Sequence, residues 1–479
     1  MRRAVFMGSR AAAFALLALL TISSSVHAQT APLVVIDSGR LAGVSLASLP
    51  HGGAFLGIPY AAQPVGDLRW RAPQLPPHWS GIRKAAAYGT ACPQAPSPWL
   101  PEMLGPKAMA TDEACLYLNV WTPKLAEDAK LPVLVWVHGG GNVEGSAEWP
   151  PLGETLARRG IVVVSLNYRL GVFGFFAYPT LAAESPQHVS GNYGQLDQLA
   201  VLKWVQRNIR HFGGDPQRVT VAGASSGSLD ICNLLASPLS AGLLEGAILQ
   251  SGVCVDSIFP TSQSAEKSDA EFVKDLGVKN GPHALAELRA MPAARLLKAA
   301  ATDQHADLEP VVDGWFLREQ PAATFARSAQ LKVPVLTGSN ENEMSIFASP
   351  LVGGTSYRPK TVAEYRQWLR DRFHTFADAV FAAYPASSDA EVRAVFTQMD
   401  TDLDFGFGAR LLAIQTARAG QNAFLYHFTY MGVGEFAALG AFHSEESMFL
   451  SKKYWTSWIA RPYDETLSEI IDGYWVRFV

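Results

Sequence analysis

The sequence predicts an α/β fold, a mostly parallel twisted sheet covered by helices on both faces. Three observations carry this. Short continuous apolar runs recur, LPVLVWV at 131–137 and IVVVSLN at 161–167, and strands buried on both faces read this way. Helical stretches, Glu154–Arg159 and Gln195–Ile209, alternate with them, as connections between parallel strands require. The stretch FGGDPQRVTVAGASSGSLDICNLL at 212–235 then reads as turn, strand, sharp elbow and helix.

Taken in order, the chain opens on a leader. Arg2, Arg3 and Arg10 precede an apolar run from Ala11 to Ile22, and Val26-His27-Ala28 forms an A-x-A-like site. That is the pattern of a signal peptide over residues 1–28, cut after Ala28. The run is too short to span a bilayer comfortably, no cysteine follows the site, and no later stretch resembles a membrane span. Stable membrane insertion is therefore not expected after cleavage.

Residues 33–60 alternate short apolar runs with turns and are expected to form a small antiparallel sheet at the N-terminal edge. Residues 61–114, rich in Pro, Gly and Ala, read as long loops. Strands are expected at Leu116–Thr122, Leu131–Val137, Ile161–Asn167, Val219–Val221, Gly246–Gln250, Val333–Gly338 and Ala423–Thr429. Residues 262–330 read as a helical insertion, and 360–420 as helices over the site.

Composition bounds the rest. Of 479 residues 48% are apolar and 17% charged, enough for a large core, and residues 29–479 are expected to be one domain around one sheet. Cleavage takes three of the 39 basic residues and none of the 43 acids, moving the formal charge from −4 to −7. That argues against nucleic acid as a partner. All four cysteines (Cys92, Cys115, Cys232, Cys254) follow the leader. An even count in an exported chain permits two disulfides. No CxxC or clustered Cys/His spacing occurs, so no metal is expected. The sequence leaves the oligomeric state open.

The chemistry centres on the elbow. Gly223-Ala224-Ser225-Ser226-Gly227 fits G-x-S-x-G, with Ser225 on a strained turn and a helix N-terminus behind it. A serine nucleophile needs a base, an acid that orients the base, and donors for the oxyanion. His138-Gly139-Gly140-Gly141 follows a buried strand, and such loops supply oxyanion donors together with the residue after the nucleophile. Gly140, Gly141 and Ser226 are the candidates. For the acid, Glu341 and Glu343 compete after strand 333–338, with Asp313 a third option, and spacing alone does not decide. For the base, His443 lies in a small-residue loop beyond the last strand, whereas His427 falls inside that strand and reads as packed. Serine, acid, histidine is the α/β-hydrolase order.

Together these residues resemble the type B carboxylesterase and cholinesterase family, across nearly all of residues 33–479. The likeness rests on GIPYA at 57–61, PVGDLRW at 64–70, CPQ at 92–94 and EACLYLNVWTP at 113–123. It continues through NYRLGVFGF at 167–175, GNYGQLDQ at 191–198, FGGDP at 212–216, PVVDG at 310–314, GSNENE at 338–343 and GAFHSEE at 440–446. The resemblance implies an α/β-hydrolase with Glu343 as the acid and His443 as the base. It also implies that Ser251 and Glu446 support that pair, that Cys92 joins Cys115, and that Arg69 and Glu113 form a buried ion pair. It leaves the pairing of Cys232 with Cys254 open.

Five departures matter. Ala224 stands where the family usually has glutamate, implying weak preference for cationic esters such as choline esters. Ser226 replaces an alanine, and Ala114 an aspartate. Met344 replaces a glycine and is expected to crowd the loop carrying Glu343. The family also usually continues beyond YWVRF at 474–478, implying a domain that lacks the C-terminal segment. The implied activity is cofactor-free hydrolysis of neutral, small or medium carboxylic esters through an acyl-enzyme. The alternative is a non-catalytic binding or adhesion role, which in this fold family usually goes with loss of a triad member. The same chemistry is open to amides, lactones and thioesters.

Overall fold

A computed structural model describes residues 31–96, 109–279, 281–302, 308–349, 359–454 and 458–479. The leader expected at 1–28 lies outside them. Strands β1 (Leu33–Ile36) and β2 (Gly39–Ala42) form a hairpin, with Leu33 opposite Ala42. Strands β3 (Val44–Leu46) and β4 (Leu49–Pro59) pair with each other, and β5 (Ile82–Lys84) joins β2 to complete a three-stranded sheet. The single N-terminal sheet expected over 33–60 is thus divided. In β1 one face is solvated, leaving Leu33 and Val35 exposed, whereas β4 carries Ala54, Phe55 and Ile58, all buried. Those side chains need a core, and β4 finds it on the main sheet.

The main sheet adds β6 (Tyr117–Thr122), β7 (Leu131–Val137), β8 (Val162–Leu166), β9 (Gly214–Ala224), β10 (Gly246–Gln250), β11 (Val335–Asn340) and β12 (Ala423–Phe428). Among the described residues its order is β12-β11-β10-β9-β7-β8-β6-β4-β3. Strands β7 to β12 run parallel, and β6, β4 and β3 run antiparallel to their neighbours. His427, expected as a packed strand residue, is exposed because β12 forms the sheet's edge.

Side-chain alternation divides the core into two layers. Val133, Val135, Val137, Val219 and Val221 pack on one face, against Leu202, Trp204 and Val205 of helix α2. Leu134, Trp136, Ala222, Ala224 and Ile248 face the other way, toward Leu156, Met448, Phe449 and Trp475. The helices that matter for the site are α1 (Gly153–Ala157), α2 (Tyr193–Asn208), α3 (Ser226–Ala236), α4 (Glu445–Ser451) and α5 (Pro462–Phe478). The segment expected as a helical insertion holds helices Ser262–Asp275, Ala284–Ala290, Ala293–Ala300 and Pro321–Ala326. No helix among the described residues is long and apolar enough to cross a membrane.

Covalent and ionic ties fasten the loops. Cys92 is joined to Cys115, and Cys232 to Cys254. The second pairing fastens α3 to the loop after β10. Arg69 Nε meets Glu113 Oε2 at 2.7 Å, and its Nη1 donates to the carbonyls of Leu288 and Met291, so the implied ion pair also anchors the insertion. A second pair lies deeper. Arg169, just after β8, meets Asp197 of α2 through two hydrogen bonds of 2.7 Å, with side-chain exposures of 2% and 0%. Removing one member of such a pair strands a buried charge. Asp197→Ala is expected to lower unfolding free energy by about 3–5 kcal/mol, read as a lower urea midpoint with the denaturant slope unchanged.

Candidate active site

Backbone crowding builds the elbow. Strand β9 ends at Ala224 and α3 begins at Ser226, so Ser225 alone makes the turn. Its backbone sits at φ 57°, ψ −130°, strain of roughly 1–3 kcal/mol for an L-residue. Two hydrogen bonds hold it. Ser225 N–H donates to Gln250 O at 2.8 Å, and Leu229 N–H reaches the Ser225 carbonyl at 3.0 Å. Gly227 supplies the room, because a Cβ there would lie 2.4 Å from Val137 O and 2.6 Å from His138 O. The helix start therefore presses against the end of β7.

The glycine loop leaves β7 at the same place. Gly140 sits at φ +113°, and a Cβ there would lie 2.2 Å from Glu144 O, so only glycine fits. The N–H groups of Gly140, Gly141 and Ser226 donate to none of the described residues. Asn142 ties this loop to the elbow. Its N–H donates to Ser226 Oγ at 3.1 Å, and its Nδ2 donates to Asp230 Oδ1 at 3.1 Å. Asp230, fully buried on α3, also accepts from the side-chain amides of Gln195 and Gln198 on α2. Burial pushes its carboxyl up to about 7, against the lowering effect of those three amides.

The acid and base meet across the ends of β11 and β12. His443 Nδ1 lies 2.7 Å from Glu343 Oε2, with side-chain exposures of 9% and 0%. The carboxylate can only accept, so Nδ1 carries the proton and Nε2 is left bare. That Nε2 is buried and has no hydrogen-bond partner among the described residues, Ser225 Oγ included. Phe347 and Phe405 flank the imidazole, with ring centroids at 5.1 and 4.9 Å.

The competing acids lie elsewhere. Asp313 accepts three backbone N–H groups, from Trp315, Phe316 and Leu317, and so closes a turn. The backbone of Glu341 pairs with Phe428 of β12. Glu446 supports Glu343 through one intermediary. Asn340 donates its backbone N–H to Glu343 Oε1 and its Nδ2 to Glu446 Oε2, both at 2.6 Å. Gln250 Nε2 donates to the other Glu446 oxygen at 2.8 Å. Burial first, and Glu343 second, raise the Glu446 carboxyl above the usual range. Ser251 departs from the expectation. Its hydroxyl is buried and bonds neither Glu343 nor His443, and its N–H donates to Gly338 O at 3.0 Å. Met344 does not crowd Glu343 out of reach, since its N–H turns to Thr401 Oγ1 at 3.2 Å.

Sequence reasoning missed Asn340, Gln250, Asn142 and Asp230. One signal was available, because Gln195 and Gln198 are three apart on a helix and so share a face.

Ser225, His443 and Gly139–Gly141 line a cavity of about 410 Å³ with Trp136, Trp149, Phe347 and Ala224. Glu144 of the glycine loop also contributes to its wall, so alanine at 224 does not leave the lining without a carboxylate. No group of three or more His, Cys, Asp or Glu among the described residues is placed to hold a metal ion.

The sheet, the elbow and the loops at the strands' carboxyl ends are those of an α/β-hydrolase. The chain belongs to the carboxylesterase family, whose model matches residues 30–479. It is 42% identical over 376 residues to the fumonisin B1 esterase of Sphingopyxis macrogoltabida, covering 78% of this chain and 67% of that protein. It is 37% identical over 359 residues to the para-nitrobenzyl esterase of Bacillus subtilis (strain 168), covering 73% and 69%. A solved structure of a PNB esterase superposes with a TM-score of 0.80 at 32% identity, covering 94% of this chain and 90% of that one. Ester hydrolysis is the reaction class.

Two expectations follow. Ser226→Ala removes the acceptor for Asn142 N–H, and kcat is expected to fall roughly fivefold with KM unchanged, the scale of one lost hydrogen bond. For Asp230 burial raises the carboxyl of the folded state to about 7, from the 3.8 of an ordinary aspartate. The folded state thus binds more protons across that window, and stability falls as pH rises through it, by up to about 1.4 kcal/mol per pH unit. Asp230→Asn is expected to flatten this slope in urea unfolding measured between pH 4 and pH 7.

Proposed function

We propose that the chain is a serine hydrolase of carboxylic esters in which Ser225 is the nucleophile, His443 the base and Glu343 the acid. One observation carries this reading. The imidazole is held by a buried carboxylate through Nδ1 and presents its unprotonated Nε2 at the cavity that Ser225 lines.

Ser225 Oγ attacks the ester carbonyl as His443 Nε2 takes its proton. Glu343 holds the ring in the required tautomer and stabilises the imidazolium that forms. The carbonyl oxygen gains negative charge and is met by the N–H groups of Gly140, Gly141 and Ser226, each such donor contributing about 3–4 kcal/mol. The α3 N-terminus adds to that field. His443 then returns the proton to the departing alkoxide, leaving an acyl-serine. A water deprotonated by His443 attacks this ester, and the acid leaves as Ser225 recovers its proton.

The cavity, walled largely by Trp136, Trp149, Phe347 and Ala224, favours neutral esters of small or medium size. We also infer export by the 1–28 leader, and the two disulfides support an oxidising destination.

The test combines turnover with labelling. Purified enzyme is expected to hydrolyse p-nitrophenyl butyrate and to take up one equivalent of a serine-reactive phosphonate. Ser225→Ala is expected to abolish the label and lower kcat by roughly 10⁴-fold or more, and Glu343→Gln to lower kcat by roughly 10⁴-fold through the wrong tautomer. Full activity in Ser225→Ala, or label on another residue, would overturn the assignment.

A further inference from the structure

Every residue from His138 to Ser146 lines the cavity except Ala147's neighbour-but-four, Asn142. Asn142 is 4% exposed, whereas Val143 beside it is 50% exposed. Its side chain is turned into the protein and is not placed to touch a substrate. All four of its polar groups are engaged there, each by a different residue. The N–H donates to Ser226 Oγ at 3.1 Å, and the carbonyl accepts from Gly171 N–H at 2.7 Å. Nδ2 donates to Asp230 Oδ1 at 3.1 Å, and Oδ1 accepts from the Tyr168 hydroxyl at 3.2 Å.

The glycine loop has few other fastenings. Gly140 and Gly141 sit at φ +113° and +62°, and glycine has more backbone freedom to lose than any other residue. The N–H groups of Val143 and Glu144 both donate to the Gly140 carbonyl, at 3.1 and 3.0 Å. Those bonds close the turn without tying it to another element. Gln94 holds the far end, its amide bonded to Gly145 N–H at 2.8 Å and to Gly145 O at 2.9 Å. Asn142 holds the near end, one residue after Gly141. It sits at φ 60°, a region that asparagine enters more readily than most L-residues.

The two side-chain partners of Asn142 are themselves fixed. Asp230 and Tyr168 are both 0% exposed. Asp230 also takes the amides of Gln195 and Gln198 from α2. Tyr168 stacks on the His138 ring with centroids 4.4 Å apart, and its hydroxyl lies 2.8 Å from the His138 carbonyl. The amide of Asn142 is thus gripped from α3 on one side and from the segment after β8 on the other. We propose that Asn142 is a positioning residue of the reaction, which sets the N–H groups of Gly140 and Gly141 from behind through its side-chain bonds to Asp230 and Tyr168. This rests on those N–H groups meeting the oxyanion as proposed above.

The experiment separates transition-state binding from ground-state binding. Rates for p-nitrophenyl butyrate are taken per site titrated with the phosphonate, so that misfolded enzyme does not count. Asn142→Ala is expected to lower kcat by about tenfold to a hundredfold, short of the complete loss of one oxyanion donor, with KM within about twofold. A trifluoromethyl ketone, which forms an oxyanion on Ser225, is expected to bind more weakly by about the same factor as kcat/KM falls. The matching trifluoromethyl alcohol cannot form that oxyanion, and its affinity is expected to hold within about twofold. Asp230→Ala is expected to act like Asn142→Ala, and the double variant to be no worse than either, because both remove one interaction. Asp230→Asn is expected to keep kcat within about threefold, since its amide oxygen still accepts from Asn142. If Asn142→Ala does not fold, Asn142→Gly takes its place, because glycine suits the backbone at this position. Wild-type kcat and ketone affinity in the Asn142 variant would overturn the role, as would equal weakening of ketone and alcohol. Full activity in Ser225→Ala removes the reaction itself, whereas an inert Ser225→Ala beside an unimpaired Asn142 variant removes the positioning role alone.

Discussion

No side chain fits between the start of α3 and the end of β7, and most of the site follows from that contact. At Gly227 the helix lies against the carbonyls of Val137 and His138. The loop that leaves β7 is therefore forced alongside the elbow, and Asn142 can reach Ser226 Oγ and Asp230 at once. Ser225, the glycine loop beside it and the start of the helix dipole become one rigid unit. Rigidity here has a chemical use, because donors fixed in advance need not reorganise when charge develops.

The buried carboxylates around this unit are held mainly by amides. Glu446 takes its hydrogen bonds from Asn340 and Gln250, Glu343 takes one from the Asn340 backbone, and Asp230 is held by Asn142, Gln195 and Gln198. Fixed amide dipoles favour the charged carboxylate without supplying a counter-ion, yet at Asp230 and Glu446 burial outweighs them. Against Glu343, the side-chain partner with an ionisable ring is His443, at 2.7 Å. Gln250 connects the two halves, its carbonyl accepting from Ser225 N–H while its side chain donates to Glu446.

The central parallel strands β7 and β8 were legible because their apolar runs are nearly continuous, and LPVLVWV is β7 residue for residue. The elbow was legible because glycine spacing records a steric need. The N-terminal edge was not, since pairing between β4 and β6 is a long-range choice that alternation alone cannot express. Asn340 and Gln250 were invisible for a related reason. An amide in a strand reads as ordinary polarity until the fold puts a buried carboxylate beside it. His427 misled because an edge strand has the same composition as an interior one, while only the sheet order says which it is. The identity of the acid needed family likeness, because Glu341 and Glu343 are two residues apart on a segment whose 3₁₀ turn, Glu343–Ala348, gives no periodic cue.

The positive-φ backbone of Ser225 sets its side chain against local stability. An alanine-like residue gains nothing at φ 57°, whereas glycine adopts it readily. The serine at 225 is thus a residue the backbone disfavours there, and the surrounding sheet must be stable enough to absorb the difference. Replacing this serine by glycine would relieve the strained backbone at the cost of its hydroxyl, so stability and the side chain are in opposition at this one position.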